Sequence, residues 1–270
     1  MLCCCPAPRY MIASGSAEVL HEVTRSCPDL WLDADGFGAS LVYRCIPKGD
    51  WGRLEGFLQA LPASYRARCI GQGLVHAAER GSEDGVSVLL REWRELSRGP
   101  PDTSAVAWDS NFRAKSAAKR ALGAACADGN ATIVEMLVSF FLEHSTIEEG
   151  GSAADASEPV ASWPTTRIGP WQRTEVLSLA LNTAATHDHP QLVKLLQRSD
   201  PHTCAVVCMG RPGRSEAPLI VAARKGNEAA VRELLALGPA DQVLARDAEG
   251  SIALINAIKG GHTGGWMRCG

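Results

Sequence analysis

Three short stretches carry side chains whose types and spacing suit chemistry. His187-Asp188-His189 sets two imidazoles around a carboxylate, a donor set that suits a transition metal. Residues two apart on a helix point to different faces, so a joint site would require a turn. The favoured reading is a capping or surface turn. Cys204-Ala205-Val206-Val207-Cys208 places two thiols at helical i, i+4 spacing. No second Cys/His pair stands at a zinc-ribbon distance, so these read as buried apolar cysteines. Cys3-Cys4-Cys5 is a candidate for S-acylation, which would attach the chain peripherally to a membrane. Leu2 stands where myristoylation requires glycine, and only Arg9 lies nearby as basic support. The competing reading is a thiol-rich start without structure, or sequence upstream of a start at Met11.

Other motifs are weaker. Gly71-Gln72-Gly73 begins like a dinucleotide fingerprint but lacks the third glycine and a preceding strand, so it reads as structural. The stretch Asn111 to Arg120 is basic, with Lys115 and Lys119 on one helical face. No aromatic platform is interleaved, so it reads as a solvated helix face rather than a nucleic-acid patch. The sequence contains no Gly-x-Ser-x-Gly elbow, no Gly-x-x-x-x-Gly-Lys-Ser/Thr loop and no His-Glu-x-x-His. Neither an enzyme activity nor a metal or cofactor is expected.

The bulk properties agree. The 270 residues include 27 basic and 30 acidic side chains, so no net charge draws the chain to nucleic acid or anionic lipid. Apolar content of 46% is ample for a core. The ten cysteines are scattered rather than set in a dense secreted framework, and read as reduced thiols of a cytoplasmic protein. No apolar run reaches the ~18 residues that span a bilayer, and the N-terminus is a poor secretory signal.

The elements that would position all these residues recur. A small-residue pair, a turn and an aliphatic stripe repeat around six anchors: Gly49, Gly81, Gly129, Asp188, Gly226 and Gly261. The anchors are separated by 32, 48, 59, 38 and 35 residues. Seven residues before each anchor stands Val42, Leu74, Leu122, Leu181, Leu219 or Leu254. Five after it stands Leu54, Val86, Val134, Val193 or Val231, and eight after it Phe57, Leu89, Leu137, Leu196 or Leu234. The pattern predicts two short antiparallel helices per unit. The small pair permits close approach of first helices, and glycine supplies the left-handed cap. The aliphatic stripe then requires a neighbouring unit to cover it.

This pattern resembles the ankyrin repeat, from about Asp33 to His262. The segment Ala217-Pro218-Leu219-Ile220-Val221-Ala222-Ala223-Arg224-Lys225-Gly226-Asn227 echoes that family's Thr-Pro-Leu-His-x-Ala-Ala-x-x-Gly-His core. Asp35-Gly36-Phe37 and Asp247-Ala248-Glu249-Gly250 resemble its inter-unit loops. The family's first-helix histidine is replaced throughout, by Tyr43, Val75, Gly123, Asn182, Ile220 and Ile255. The resemblance implies an all-α, ankyrin-like helical repeat solenoid with long inter-repeat insertions. Residues 1–15 read as disordered and 16–32 as a lead-in cap. About six degenerate repeats occupy 33–262, with insertions near 97–115, 143–172 and 199–214. Residues 263–270 read as an irregular C-terminus, so the last unit is a half repeat or the chain a truncated product. Thr146 to Pro164 reads as a flexible projecting loop. A HEAT- or TPR-like stack is disfavoured by the glycine anchors and short helices.

Such repeats imply a protein-interaction module or scaffold. In the ankyrin family partners meet a concave face of hairpin tips and of the two positions before each anchor. Carried onto this chain, those positions are Phe37, Lys48, Glu79, Arg80, Asp128, His187, Arg224, Lys225, Glu249 and Lys259. The alternative is a regulatory or substrate-recruiting segment of a larger enzyme, such as a ligase, kinase or acyltransferase, with its catalytic part elsewhere.

Overall fold

A computed structural model describes residues 45–61, 63–98, 105–146, 171–210 and 216–262. The readings made for Cys3, Cys4, Cys5, Phe37, residues 1–32, the loop 147–164 and residues 263–270 lie outside these. Among the described residues the chain is all-helical, apart from a two-residue parallel pairing of β1 (Ser145–Thr146) with β2 (Trp171–Gln172). No helix among them is long and apolar enough to cross a membrane.

The chain divides into two compact units, with the break between Ala121 and Leu122. The first unit contains α1 (Trp51–Ala60), α2 (Ala63–Glu79), α3 (Glu83–Arg98) and most of α4 (Ala105–Ala127). The second takes the end of α4, then α5 (Ala131–Glu143), α6 (Arg173–Thr186), α7 (Pro190–Ser199) and α8 (Pro201–Cys208). It closes with α9 (Pro218–Lys225), α10 (Glu228–Leu237), a 3₁₀ turn (Ala240–Leu244) and α11 (Ala253–Lys259). Two stretches read from sequence as insertions thus include helix: residues 105–115 open α4, and α8 lies within 199–214.

The local geometry is the same at all six anchors. Gly49, Gly81, Gly129, Asp188, Gly226 and Gly261 have φ between 56° and 76°, a region natural to glycine and strained for Asp188. The next residue along donates its backbone N–H five residues back, at 2.9–3.2 Å. These bonds run from Asp50 to Cys45, Ser82 to Ala77, Asn130 to Ala125, His189 to Ala184, Asn227 to Ala222 and His262 to Ala257. Each closes the first helix of a pair with a 6→1 bond and satisfies a carbonyl that the helix end would leave orphaned. The same residue then opens the second helix. The carbonyls of Asp50, Ser82, Asn130, His189 and Asn227 accept from Leu54, Val86, Val134, Val193 and Val231. One residue per turn thus pairs a carbonyl of the helix that ends and an N–H of the helix that begins.

The stripe that follows is core. All five aliphatics five residues past an anchor, and all five apolar residues eight past it, are buried. Complete burial of such a side chain stabilises by about 1.5–3 kcal/mol relative to exposure. In the first unit α3 packs on α2 and α1. In the second, first helices lie side by side in the order α6, α9, α11, and second helices in the order α5, α7, α10. The extra helix α8 packs on α6 and α7. Small residues set the closeness of approach. A Cβ on Gly71 in α2 would lie 2.8 Å from the Ala114 Cα in α4, a backbone atom that cannot swing aside. That packing explains the glycine at position 71.

Gly71→Ala is therefore expected to cost about 1–3 kcal/mol by overpacking. Gly123→Ala, in a helix where an added Cβ meets nothing within 4 Å, should instead stabilise by up to about 1 kcal/mol. Urea unfolding of both variants checks the contrast. Equal effects would mean that the α2–α4 approach is wrong.

Candidate functional site

The residue after each anchor decides how a turn is tied down. In the first three turns its side chain serves its own second helix. Asp50 Oδ1 accepts from Arg53 N at 3.4 Å, Ser82 Oγ from Gly85 N at 3.3 Å, and Asn130 Oδ1 from Ile133 N at 3.1 Å. In the later turns it reaches back to the preceding turn. His189 Nε2 donates to the Ala127 carbonyl at 2.9 Å, a bond that requires a proton on Nε2 because a carbonyl only accepts. Asn227 Nδ2 donates to the Ala185 and Thr186 carbonyls at 2.7 and 2.8 Å. The His262 ring lies over Gly226, where a Cβ would meet its Nδ1 at 2.5 Å. Asp188 adds a further tie: its Oδ1 accepts from Ala230 N, in the first turn of α10, at 2.9 Å.

This geometry absorbs the metal-like triplet. His187 is exposed, and its ring stacks 6.4 Å from that of His189. Asp188 and His189 are committed to Ala230 and Ala127. Among the described residues no cluster of three or more His, Cys, Asp or Glu is placed to hold a metal ion. Cys204 and Cys208 are buried free thiols, and Cys204 Sγ donates to the Leu196 carbonyl at 3.3 Å. Burial pushes these thiols up to about 12 and about 11, far from the thiolate form that reacts or ligates. In the basic stretch of α4, Arg113 and Arg120 are exposed, whereas Lys115 and Lys119 are half-buried.

The nine described positions expected to meet a partner are all exposed. In the first unit these are Lys48, Glu79 and Arg80; in the second, Asp128, His187, Arg224, Lys225, Glu249 and Lys259. Three of the second set gather around Asp247. Asp247 Oδ1 accepts from the backbone N–H of Glu249 at 3.1 Å and of Ser251 at 2.7 Å, which holds Glu249 at the tip of the turn. Its Oδ2 accepts from Asn256 Nδ2 at 2.7 Å and lies 4.0 Å from an Arg224 nitrogen. Lys259 Nζ donates to Ser251 Oγ at 2.9 Å. The Asn256 amide, with the two N–H groups and the Lys259 charge, holds the Asp247 carboxyl below its ordinary range against the opposing effect of burial. Arg224 is itself ion-paired with Glu216. Lys225, one residue on, is exposed and has no such pair among the described residues.

The 247–250 loop is readable in the sequence, with Gly250 at φ 76°, but the hydrogen bonds of the Asp247 carboxylate are not. Glu92 has no sequence signal. It is buried in α3, and its Oε1 accepts from Gln59 Nε2 at a long 3.5 Å. Burial pushes its carboxyl above the usual range; the Gln59 bond and the charges of Arg66 and Arg91 pull the other way, and Glu95 adds to the rise. Compared with known proteins, the chain matches no family model and no curated protein.

Two outcomes test these assignments. A capping role at Asn227 would tolerate aspartate, which caps as well as asparagine does. A bridging role requires the N–H donors. Asn227→Asp is thus expected to destabilise by about 1–3 kcal/mol, at least as much as Asn227→Ala. Tolerance of aspartate in a denaturation series would contradict the bridge. Glu92→Gln is expected to raise Tm by a few degrees near pH 7.5. The folded-state pKa is raised, so ionisation penalises folding only as pH climbs above the unfolded value of about 4.3. Below about pH 4 both states are protonated and the variant should melt with the parent; a gain independent of pH would remove the assignment.

Proposed function

We propose that this chain is a protein-interaction module of degenerate ankyrin-like helical pairs, which binds partner proteins through the residues at its turns. One observation carries the reading. Six turns share one backbone geometry and one hydrogen bond, and the nine described residues expected beside them are all exposed. Within the second unit the first helices lie side by side, so their turns follow one another, an arrangement suited to an extended partner segment. Phe37 and Cys3, Cys4 and Cys5 extend the proposal to positions outside the described residues: a further contact and an acylated start.

The exposed set includes Lys48, Arg80, Lys225 and Lys259 against Glu79, Asp128 and Glu249, so a partner segment of acidic or mixed character fits it. Exposed charge pairs steer association and weaken as salt screens them. The test is affinity capture with the full chain, identification of the captured protein by mass spectrometry, and titration of that protein at two salt concentrations. Lys225→Glu is expected to weaken binding at low salt and leave Tm unchanged. Arg224→Glu should lower both, because it also breaks the pair with Glu216. Unchanged affinity for Lys225→Glu at both salt concentrations would place the contact surface elsewhere.

A further inference from the structure

The last described helix leaves open apolar positions whose described apolar counterparts in earlier pairs are buried. Seven residues before an anchor, Leu219 is 1% exposed, but Leu254 in α11 is 45% exposed. Three before it stand the buried Ile46, Ala78, Cys126, Ala185 and Ala223, but Ile258 is 56% exposed. Ile255 is 42% exposed, where its counterpart Ile220 is buried. On α10 the same break appears nine residues past the anchor. Leu58, Leu90, Val138 and Gln197 are buried there, but Leu235 is 37% exposed.

The chain itself indicates what covers such a face. The first helix α9 is covered by its second helix α10, which continues the row α5, α7, α10. A helix laid beside α10 and against α11 would continue that row by one place. Charge specifies it further. Where α7 meets α10, Lys194 Nζ pairs with Glu233 Oε1 at 2.9 Å. Lys194 lies six residues past its anchor, and Arg232 holds the same place on α10, exposed and, among the described residues, paired within its own helix, with Glu228 at 3.1 Å. The helix that completes the row therefore carries an acid between two aliphatics, as Val231-Arg232-Glu233-Leu234 does in α10.

We propose that the end face formed by Leu235, Leu254, Ile255 and Ile258, with Arg232 at its edge, docks an amphipathic helix of a partner protein bearing an aliphatic-x-acid-aliphatic pattern. This helix-in-groove mode reads anchors at helical spacing. It is a surface separate from the turn residues of the preceding proposal and stands independently of it.

The probe is a fluorescein-labelled peptide with the α10 sequence Glu228–Leu237, stapled to remove the cost of forming a helix. It is titrated by anisotropy against the full chain. Saturable binding is expected. Ile258→Asp should weaken it at least tenfold without lowering Tm, because that side chain is exposed. Arg232→Glu should also weaken it, and a peptide with lysine at the position of Glu233 should restore it. Lys225→Glu should have no effect, which separates this face from the turn surface. No saturable binding, or equal affinity for Ile258→Asp, overturns the proposal. So does a dimer in sedimentation that Ile258→Asp dissociates, since the occupant would then be a second copy. Tenfold tighter binding by Trp266→Ser overturns it too, since the chain's own last residues would then compete for the face.

Discussion

The structure depends on one backbone constraint: a single left-handed residue at each anchor, followed by a residue whose N–H closes one helix and whose carbonyl opens the next. A helix end leaves four carbonyls without partners, and the following helix start leaves four N–H groups. A reversal that failed to pair them would cost more than the short helices recover by packing. With these two bonds made at the crossover, helices of 8–17 residues such as α9 and α2 can stand antiparallel. Helices this short are marginal alone, so their stability comes from the stripe they bury.

The residue after the anchor then distributes labour. Where it is Asp50, Ser82 or Asn130 it accepts from its own helix, and the turn is locally complete. Where it is His189 or Asn227 it donates backward to carbonyls of the preceding turn. Asp188 compensates for what this removes. Its carboxylate caps α10 from outside, while Asn227 is occupied elsewhere. The strain of a non-glycine residue at φ 56° is thus coupled to a hydrogen bond that glycine could not make. Function, as proposed, takes what this scheme leaves over: exposed side chains at the turns, and the end face that no further described helix covers.

Much of this was legible because the physics leaves few choices. Only glycine sits easily at a left-handed turn, so five of the six anchors are glycine, and Asp188 was found by register alone. Residues buried on a second helix must be aliphatic or aromatic at fixed spacing, and Val86 with Leu89, or Val193 with Leu196, announce it. The exposure of Leu254 was not legible. Its offset matches that of Leu219, and burial depends on what lies beside a helix rather than on the helix itself. Glu92 was hidden for the same reason, since Gln59 on α1 is brought to it on α3 only by folding. The helices within residues 105–115 and 199–214 were obscured by the breakers around them, Gly99-Pro100-Pro101 and Gly210-Arg211-Pro212.

The most direct measurement is amide hydrogen exchange on the full chain, read residue by residue at the crossovers. If one N–H closes each helix pair, the amides of Ser82, Asn130, His189 and Asn227 should exchange at least about a hundredfold more slowly than unstructured amides, and together with their flanking helices. Exchange at unprotected rates in these four, beside protected helices, would contradict the account. The turns would then be ordinary loops, and the repeated geometry would have no part in holding the chain together.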